Sequence, residues 1–113
     1  MIRIEVTPRF TKRLRALSKR YRNIQKDVEP IIKDIQQGSF TGDQISGTNY
    51  VVFKVRVRNR DIQKGKSAGY RLLYQIESPT SVLLLTIYSK SDTDDLSTQI
   101  IDRIIADYND TDE

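Results

Sequence analysis

The sequence predicts a single α+β domain over residues 1–113, on three grounds. Apolar residues recur at helical spacing between residues 10 and 35, alternate at a period of two from 53 to 76, and return to helical spacing from residue 96. A chain of 113 residues fits one core and leaves no room for a second. An apolar fraction of 37% with a charged fraction of 30% is that of a globular chain, not a disordered tail or a membrane protein.

Taken in order, residues 1–6 alternate and are β-prone, which predicts a short first strand. Thr7 then offers an N-cap and Pro8 stands at the first helical position, where a missing N–H costs nothing. Phe10, Leu14, Leu17 and Tyr21 follow at helical spacing, so residues 8–22 read as an amphipathic helix with its cations outward. Ile24, Val28, Ile31, Ile32 and Ile35 predict a second helix ending at Gly38, and the two helices form a hairpin. Pro30 lies inside that pattern, so the second helix either starts near Glu29 or kinks at the proline. Residues 39–49, rich in Gly, Thr, Ser and Asp, read as a loop.

Beyond the loop, Phe53, Val55 and Val57 share one face of a strand, with Lys54, Arg56 and Arg58 on the other. Residues 60–67 form a polar, glycine-containing connection long enough to be mobile. Residues 69–76 are the next strand, with Leu72, Tyr74 and Ile76 facing one way and Arg71, Leu73 and Gln75 the other. A turn over 77–81 leads to residues 82–88, apolar nearly throughout and therefore central in the sheet. Thr93 caps a last helix, with Asp94 and Asp95 in its first turn, where the dipole favours acids. Leu96, Ile100, Ile101, Ile104, Ile105 and Tyr108 supply its apolar stripe. The predicted order is β-α-α-β-β-β-α, a meander sheet with helices packed on one face and the other face open to solvent.

Two missing residue types narrow the chemistry. Without cysteine there are no disulfides or thiolates, and without histidine no Ser-His-Asp triad and no His-ligated zinc. Catalysis must rely on Lys, Arg, Tyr, carboxylates or hydroxyls. No acidic pair stands at a strand end where it would hold magnesium, so neither metal nor cofactor is expected. No apolar run approaches the ~20 residues of a membrane span, and residues 1–6 open as structure rather than as a secretory leader. The expected location is the cytoplasm.

The net charge of +4 conceals a stronger asymmetry. Residues 9–26 hold eight cations and no acid, and residues 50–71 hold seven cations against Asp61; residues 91–113 hold eight acids against Arg103. Two basic segments and one acidic end point to a phosphate-rich partner met by one side of the molecule. On a strand, Lys54, Arg56 and Arg58 stand roughly 6.6 Å apart, close to the phosphate spacing of a nucleic-acid backbone. Three like charges in a row oppose folding by a few tenths of a kcal/mol per neighbouring pair, so stability alone does not select them. Arg71 joins this face if the two strands pair in their natural register. Tyr50, Tyr70, Tyr74 and Tyr88 are nearby; parity assigns Tyr74 to the core, whereas Tyr50 and Tyr88 sit at strand ends and could face either way. Cations beside aromatic rings suit single-stranded RNA, whose bases stack on rings.

Residues 67–76, Ser-Ala-Gly-Tyr-Arg-Leu-Leu-Tyr-Gln-Ile, resemble the S-x-G-Y-R-[LV]-[VL]-Y signature of the RelE/ParE toxin superfamily. The stretch 53–58, Phe-Lys-Val-Arg-Val-Arg, resembles that family's basic strand. Lys64-Gly-Lys-Ser and residues 84–92, Leu-Leu-Thr-Ile-Tyr-Ser-Lys-Ser-Asp, are most similar to its HigB-like branch. The resemblance covers essentially the whole chain. It implies a RelE-like fold, a cognate antitoxin as partner with any oligomer formed only through it, and action on ribosome-bound mRNA. The implied reaction is attack by a ribose 2′-OH on the adjacent phosphodiester, leaving a 2′,3′-cyclic phosphate. A base, stabilisation of the phosphorane and an acid for the leaving 5′-oxygen are then required.

By position, the resemblance assigns Lys54 and Arg56 base and charge-stabilising roles and Arg71 the transition-state arginine; Lys90 completes the expected catalytic set as a substitute for a residue this chain lacks. Arg58, Arg60, Lys64, Lys66 and Tyr88 would bind RNA. A lysine base works only if neighbouring cations lower its pKa from ~10.4, and the cationic strand would supply that field. The RelE branch carries an arginine and a tyrosine after the last strand where this chain has Ser91 and Ser97, which leaves Lys90, Tyr88 or Asp92 to replace them. The alternatives are a ParE-like toxin, which shares the fold but acts on DNA gyrase and would bind through the helical hairpin, and a catalytically inactive family member.

Overall fold

The first strand passes to the first helix through one threonine. In this computed structural model, which describes residues 1–62 and 68–111, β1 (Arg3–Val6) runs into α1 (Pro8–Ser18). Thr7 Oγ1 accepts from Phe10 N at 2.9 Å, with Pro8 as the first helical residue. α1 is shorter than its apolar spacing implies: Arg20 N and Tyr21 N both donate to the Leu17 carbonyl and close it in a tight turn. Tyr21, released from the helix, meets Tyr70 edge-on at 5.8 Å between ring centroids.

α2 (Ile24–Gln36) runs through Pro30, so the start near Glu29 is not used. Burying Ile24, Val28 and Ile35 is worth roughly 1.5–3 kcal/mol each, more together than the ~3 kcal/mol a mid-helix proline costs. The helix ends as predicted at Gly38, whose φ of 86° is in the left-handed region. Gly38 N donates to Ile35 O and Ser39 N to Asp34 O, the paired closing bonds of a Schellman motif.

The stretch predicted to be a loop contributes a two-residue strand, β2 (Asp43–Gln44), antiparallel to β3 (Val52–Val57). β4 (Tyr70–Ser78) and β5 (Ser81–Ser89) complete a five-stranded sheet of order β1-β5-β4-β3-β2. It is mixed, because β1 lies parallel to β5 while the other pairs are antiparallel. β5 is interior, as its apolar run predicted. No helix among the described residues is long and apolar enough to cross a membrane.

The helices do not share one face, and this corrects the sequence reading. Under α1 and α2 lie Val55, Val57, Leu72, Tyr74, Val82, Leu84 and Ile87. α3 (Thr98–Thr111) packs Ile101, Ile104 and Ile105 on the opposite face, against Val52, Leu73, Leu83 and Leu85. It also begins later than predicted: the cap is Ser97, whose Oγ accepts from Ile100 N at 3.2 Å, not Thr93. The segment before it is drawn onto the sheet by Asp95.

Candidate active site

Strand register assembles the cations. Arg56 on β3 stands directly opposite Arg71 on β4, and Arg71 opposite Tyr88 on β5. One row of the sheet therefore carries two arginines and a tyrosine, and Lys54 lies two residues along β3. The glycine of the Gly-Tyr-Arg segment has a local reason: a Cβ at Gly69 would come within 2.2 Å of the Val57 carbonyl oxygen. Gly69 O also accepts from Lys90 N at 2.9 Å. The close approach at Gly69 thus joins the end of β3, the start of β4 and the segment after β5, which carry Arg56, Arg71 and Lys90.

A register shift in β5 orients Tyr88. Leu73 pairs with Thr86 and Tyr74 with Leu84, leaving Leu85 as the extra residue. Thr7 Oγ1 donates to the Leu85 carbonyl at 2.7 Å, so the N-cap of α1 also satisfies the bulge. Strict alternation from Val82 and Leu84 would send Tyr88 toward α1 and α2; the bulge turns it onto the face of Arg71.

The centre of the cluster is a carboxylate that the sequence reading placed in a helix. Asp95 Oδ2 lies 3.2 Å from Lys54 Nζ, and Asp95 Oδ1 lies 3.4 Å from Lys90 Nζ. Tyr88 Oη donates to Asp95 Oδ1 at 3.3 Å. The hydrogen bond from Lys54, with a further contribution from Lys90, holds the Asp95 carboxyl below its ordinary value. Burial, reinforced by the Asp95 charge, pushes the Tyr88 phenol up to about 12, so at neutral pH it keeps its proton and acts as a donor. Arg71 is buried, at 5% exposure, and its Nη1 donates to the Tyr70 carbonyl at 3.1 Å.

Not every predicted binding residue joins the cluster. Arg56 and Arg58 are exposed, but Lys54 is only partly exposed and α3 covers the neighbouring apolar surface. The open cationic face expected from the sequence is therefore a rim. Arg60 faces α2, its Nε 2.6 Å from buried Asp27 Oδ1. Lys64 and Lys66, in the connection predicted to be mobile, lie outside the described residues. Asp92 pairs with Arg20 at 2.5 Å, which ties the turn after α1 to the end of β5. Ser91 Oγ is 3.0 Å from Ser89 Oγ, and Ser97 is spent on capping α3. The residue that sequence reasoning missed is Asp95. Its only signal was an acidic pair downstream of Lys90, and nothing local says that it folds back.

Chemically, the rim offers the exposed Arg56 guanidinium, two ammonium groups and a phenol that donates, with the Arg71 guanidinium buried beside them. Asp95 occupies the space between the Lys54 and Lys90 ammonium groups. No protein-family model and no curated protein sequence matches the chain.

Proposed function

We propose that this protein is the toxin of a type II toxin–antitoxin pair, of the RelE/ParE superfamily and its HigB-like branch, cutting ribosome-bound mRNA in the cytoplasm. The observation that carries the reading is the placement of Arg56 directly opposite Arg71, with Lys54, Lys90 and Tyr88 beside them. Like charges directly opposed across a sheet destabilise it, and a phosphodiester accounts for their presence.

In this reading Lys54 takes the proton of the 2′-OH. The O2′–P bond forms as the P–O5′ bond breaks, Arg56 and Arg71 hold the phosphorane oxygens, and Lys90 returns a proton to the 5′-oxygen. Tyr88, its phenol held protonated, donates to a phosphate oxygen and is not the acid. Asp95 must leave Lys54 and Lys90 when RNA arrives. Arg58 continues the track along the exposed face for the flanking backbone.

Primer extension on translated mRNA tests the proposal with wild type and Arg71→Ala. Wild type should give codon-linked cuts, and Arg71→Ala should reduce them about 10²–10³-fold, the scale for losing one transition-state donor. Absence of cuts with wild type, together with gyrase-linked DNA breaks, would replace the nuclease reading with the ParE-like one. The antitoxin, expected from the neighbouring gene, should copurify with the chain and suppress the cuts.

A further inference from the structure

We propose that Asp95 turns residues 90–97 into an internal latch, which keeps lone phosphate out of the site between Lys54 and Lys90 and yields to a single strand of RNA. The inference rests on the reading of the cationic rim as an RNA site, and it names the residue that sets the threshold for entry. It requires nothing of the cleavage step itself.

The latch follows from where this stretch of chain is held. β5 ends at Ser89 and α3 begins at Thr98. At the near end, Asp92 N and Thr93 N both donate to the Ser89 carbonyl, and the Asp92 carboxylate pairs with Arg20. At the far end, Leu96 packs against the core between α3 and the sheet, and Ser97 Oγ accepts from Ile100 N. Neither anchor uses a lysine of the rim. Between the anchors Asp95 turns back over the sheet, and no other described acid pairs with Lys54 or Lys90.

Asp95 bridges the two ammonium groups with its two oxygens, Oδ2 at 3.2 Å from Lys54 Nζ and Oδ1 at 3.4 Å from Lys90 Nζ. Two oxygens of a phosphate can make the same bridge. Tyr88 Oη donates to Oδ1 as well, so one carboxylate engages all three donors. The Asp95 side chain is 54% exposed, against 27% for Lys54 and 33% for Lys90. It therefore lies on the solvent side of its partners, where ion pairs are weak. Tethering offsets that weakness, because a short flexible link holds a group at an effective concentration in the millimolar range. Lone phosphate at such a concentration meets an equal competitor already in place. A strand has a foothold elsewhere. Arg56 and Arg58 are exposed and form no ion pair among the described residues, and they follow Lys54 at intervals of two along the chain. They take flanking phosphates first; the next phosphate at Lys54 is then tethered too, and it displaces Asp95.

The test is NMR titration of the full ¹⁵N-labelled chain with inorganic phosphate and with hexauridylate, in wild type, Asp95→Asn, Asp95→Glu and Asp94→Asn. In wild type, millimolar phosphate should leave the amides of residues 90–97 in place, whereas hexauridylate should shift them. Asp95→Asn should bind phosphate about fivefold more tightly than wild type, the scale of one of the stronger exposed ion pairs. Asp95→Glu should restore the rejection. Asp94→Asn removes the same charge one residue away, from an exposed side chain in no ion pair among the described residues, and should leave phosphate affinity unchanged. Both positions are exposed, so the far-UV spectra should not change. Phosphate shifting residues 90–97 of wild type as readily as hexauridylate, equal gains in Asp94→Asn and Asp95→Asn, or no gain in Asp95→Asn would overturn the latch. Cleavage is read separately. If wild type cuts no mRNA while Asp95→Asn gains phosphate, the nuclease reading fails and the latch stands. If Arg71-dependent cuts occur and Asp95→Asn gains nothing, the latch fails alone.

Discussion

The two faces of the central sheet are built on different principles. Beneath α1 and α2 the face is apolar from strand to strand, through Val55, Val57, Leu72, Tyr74, Val82, Leu84 and Ile87. The opposite face is divided. Val52, Leu73, Leu83 and Leu85 support α3, whereas Lys54, Arg56, Arg71 and Tyr88 gather where α3 and its leading segment leave a rim. Two buried tyrosines make the contrast concrete. Tyr74 donates to the Thr41 backbone carbonyl at 2.5 Å, a partner fixed by the fold. Tyr88 donates to the Asp95 carboxylate, a group that is 54% exposed and can be exchanged for another anion. One face holds the molecule together; the other concentrates charge that folding alone would not select.

The largest expected effect breaks the first face. Leu72→Ala removes a fully buried side chain and should cost about 2–5 kcal/mol, the range for such truncations in packed cores. Arg56→Ala, on the opposite side of the sheet, should change stability by no more than about 0.5 kcal/mol, as expected for an exposed side chain, and it relieves the opposition to Arg71. Urea denaturation of both variants checks the pair, with an unchanged m-value showing that stability itself moved. A large loss in Arg56→Ala would mean that the cationic rim is structural.

Alkaline titration sharpens the tyrosine contrast. Burial pushes Tyr74 and Tyr88 up to about 12 and raises Tyr70 in the same direction. A phenol whose folded pKa lies above its unfolded value of ~10 contributes stability that is fully present below pH ~10 and is lost as pH rises toward 12. Of the six tyrosines, these three should therefore ionise late and together with unfolding, as followed by absorbance of the phenolate. Early ionisation of Tyr88 alone would show that its side of the sheet opens first.

The smallest effect on folding, and the most informative about the rim, is Asp95→Asn. The Asp95 carboxyl is depressed in the folded state, so its contribution is present above ~pH 3.9 and is lost as pH falls below that value. Wild type and variant should differ slightly at pH 7 and converge in acid. With the carboxylate gone from between Lys54 and Lys90, single-stranded RNA should bind several-fold more tightly. Its salt dependence should also steepen by about 0.7 in log–log slope for each phosphate gained. Fluorescence anisotropy at several salt concentrations measures both. Unchanged binding would mean that RNA does not use these two lysines.

Much of the fold was legible because it rests on local chemistry. Thr7-Pro8 marks a helix start wherever it occurs before an apolar helical pattern, and Gly38 marks a stop because the left-handed turn there costs glycine nothing. The alternation of Phe53, Val55 and Val57 against Lys54, Arg56 and Arg58 allowed only one division between faces. The site was legible to a lesser depth: strand parity puts Lys54 and Arg56 on one face, but Arg71 joins them only through the β3–β4 register.

Elsewhere local signals pointed the wrong way or were silent. Asp94 and Asp95 suit a helix N-terminus, but α3 starts at Thr98 and Asp95 pairs with Lys54 and Lys90 instead. Pro30 argued for a break, and burial of Ile24, Val28 and Ile35 outweighed it. The sequence by itself determined the α+β class and the strand parity, because backbone geometry converts spacing directly into faces. The tertiary structure alone decided that α3 covers the opposite side of the sheet, that the Leu85 bulge turns Tyr88 toward Arg71, and that Asp95 closes over the lysines. Each of those depends on groups far apart in the chain, whose attraction exists only once the sheet has brought them together.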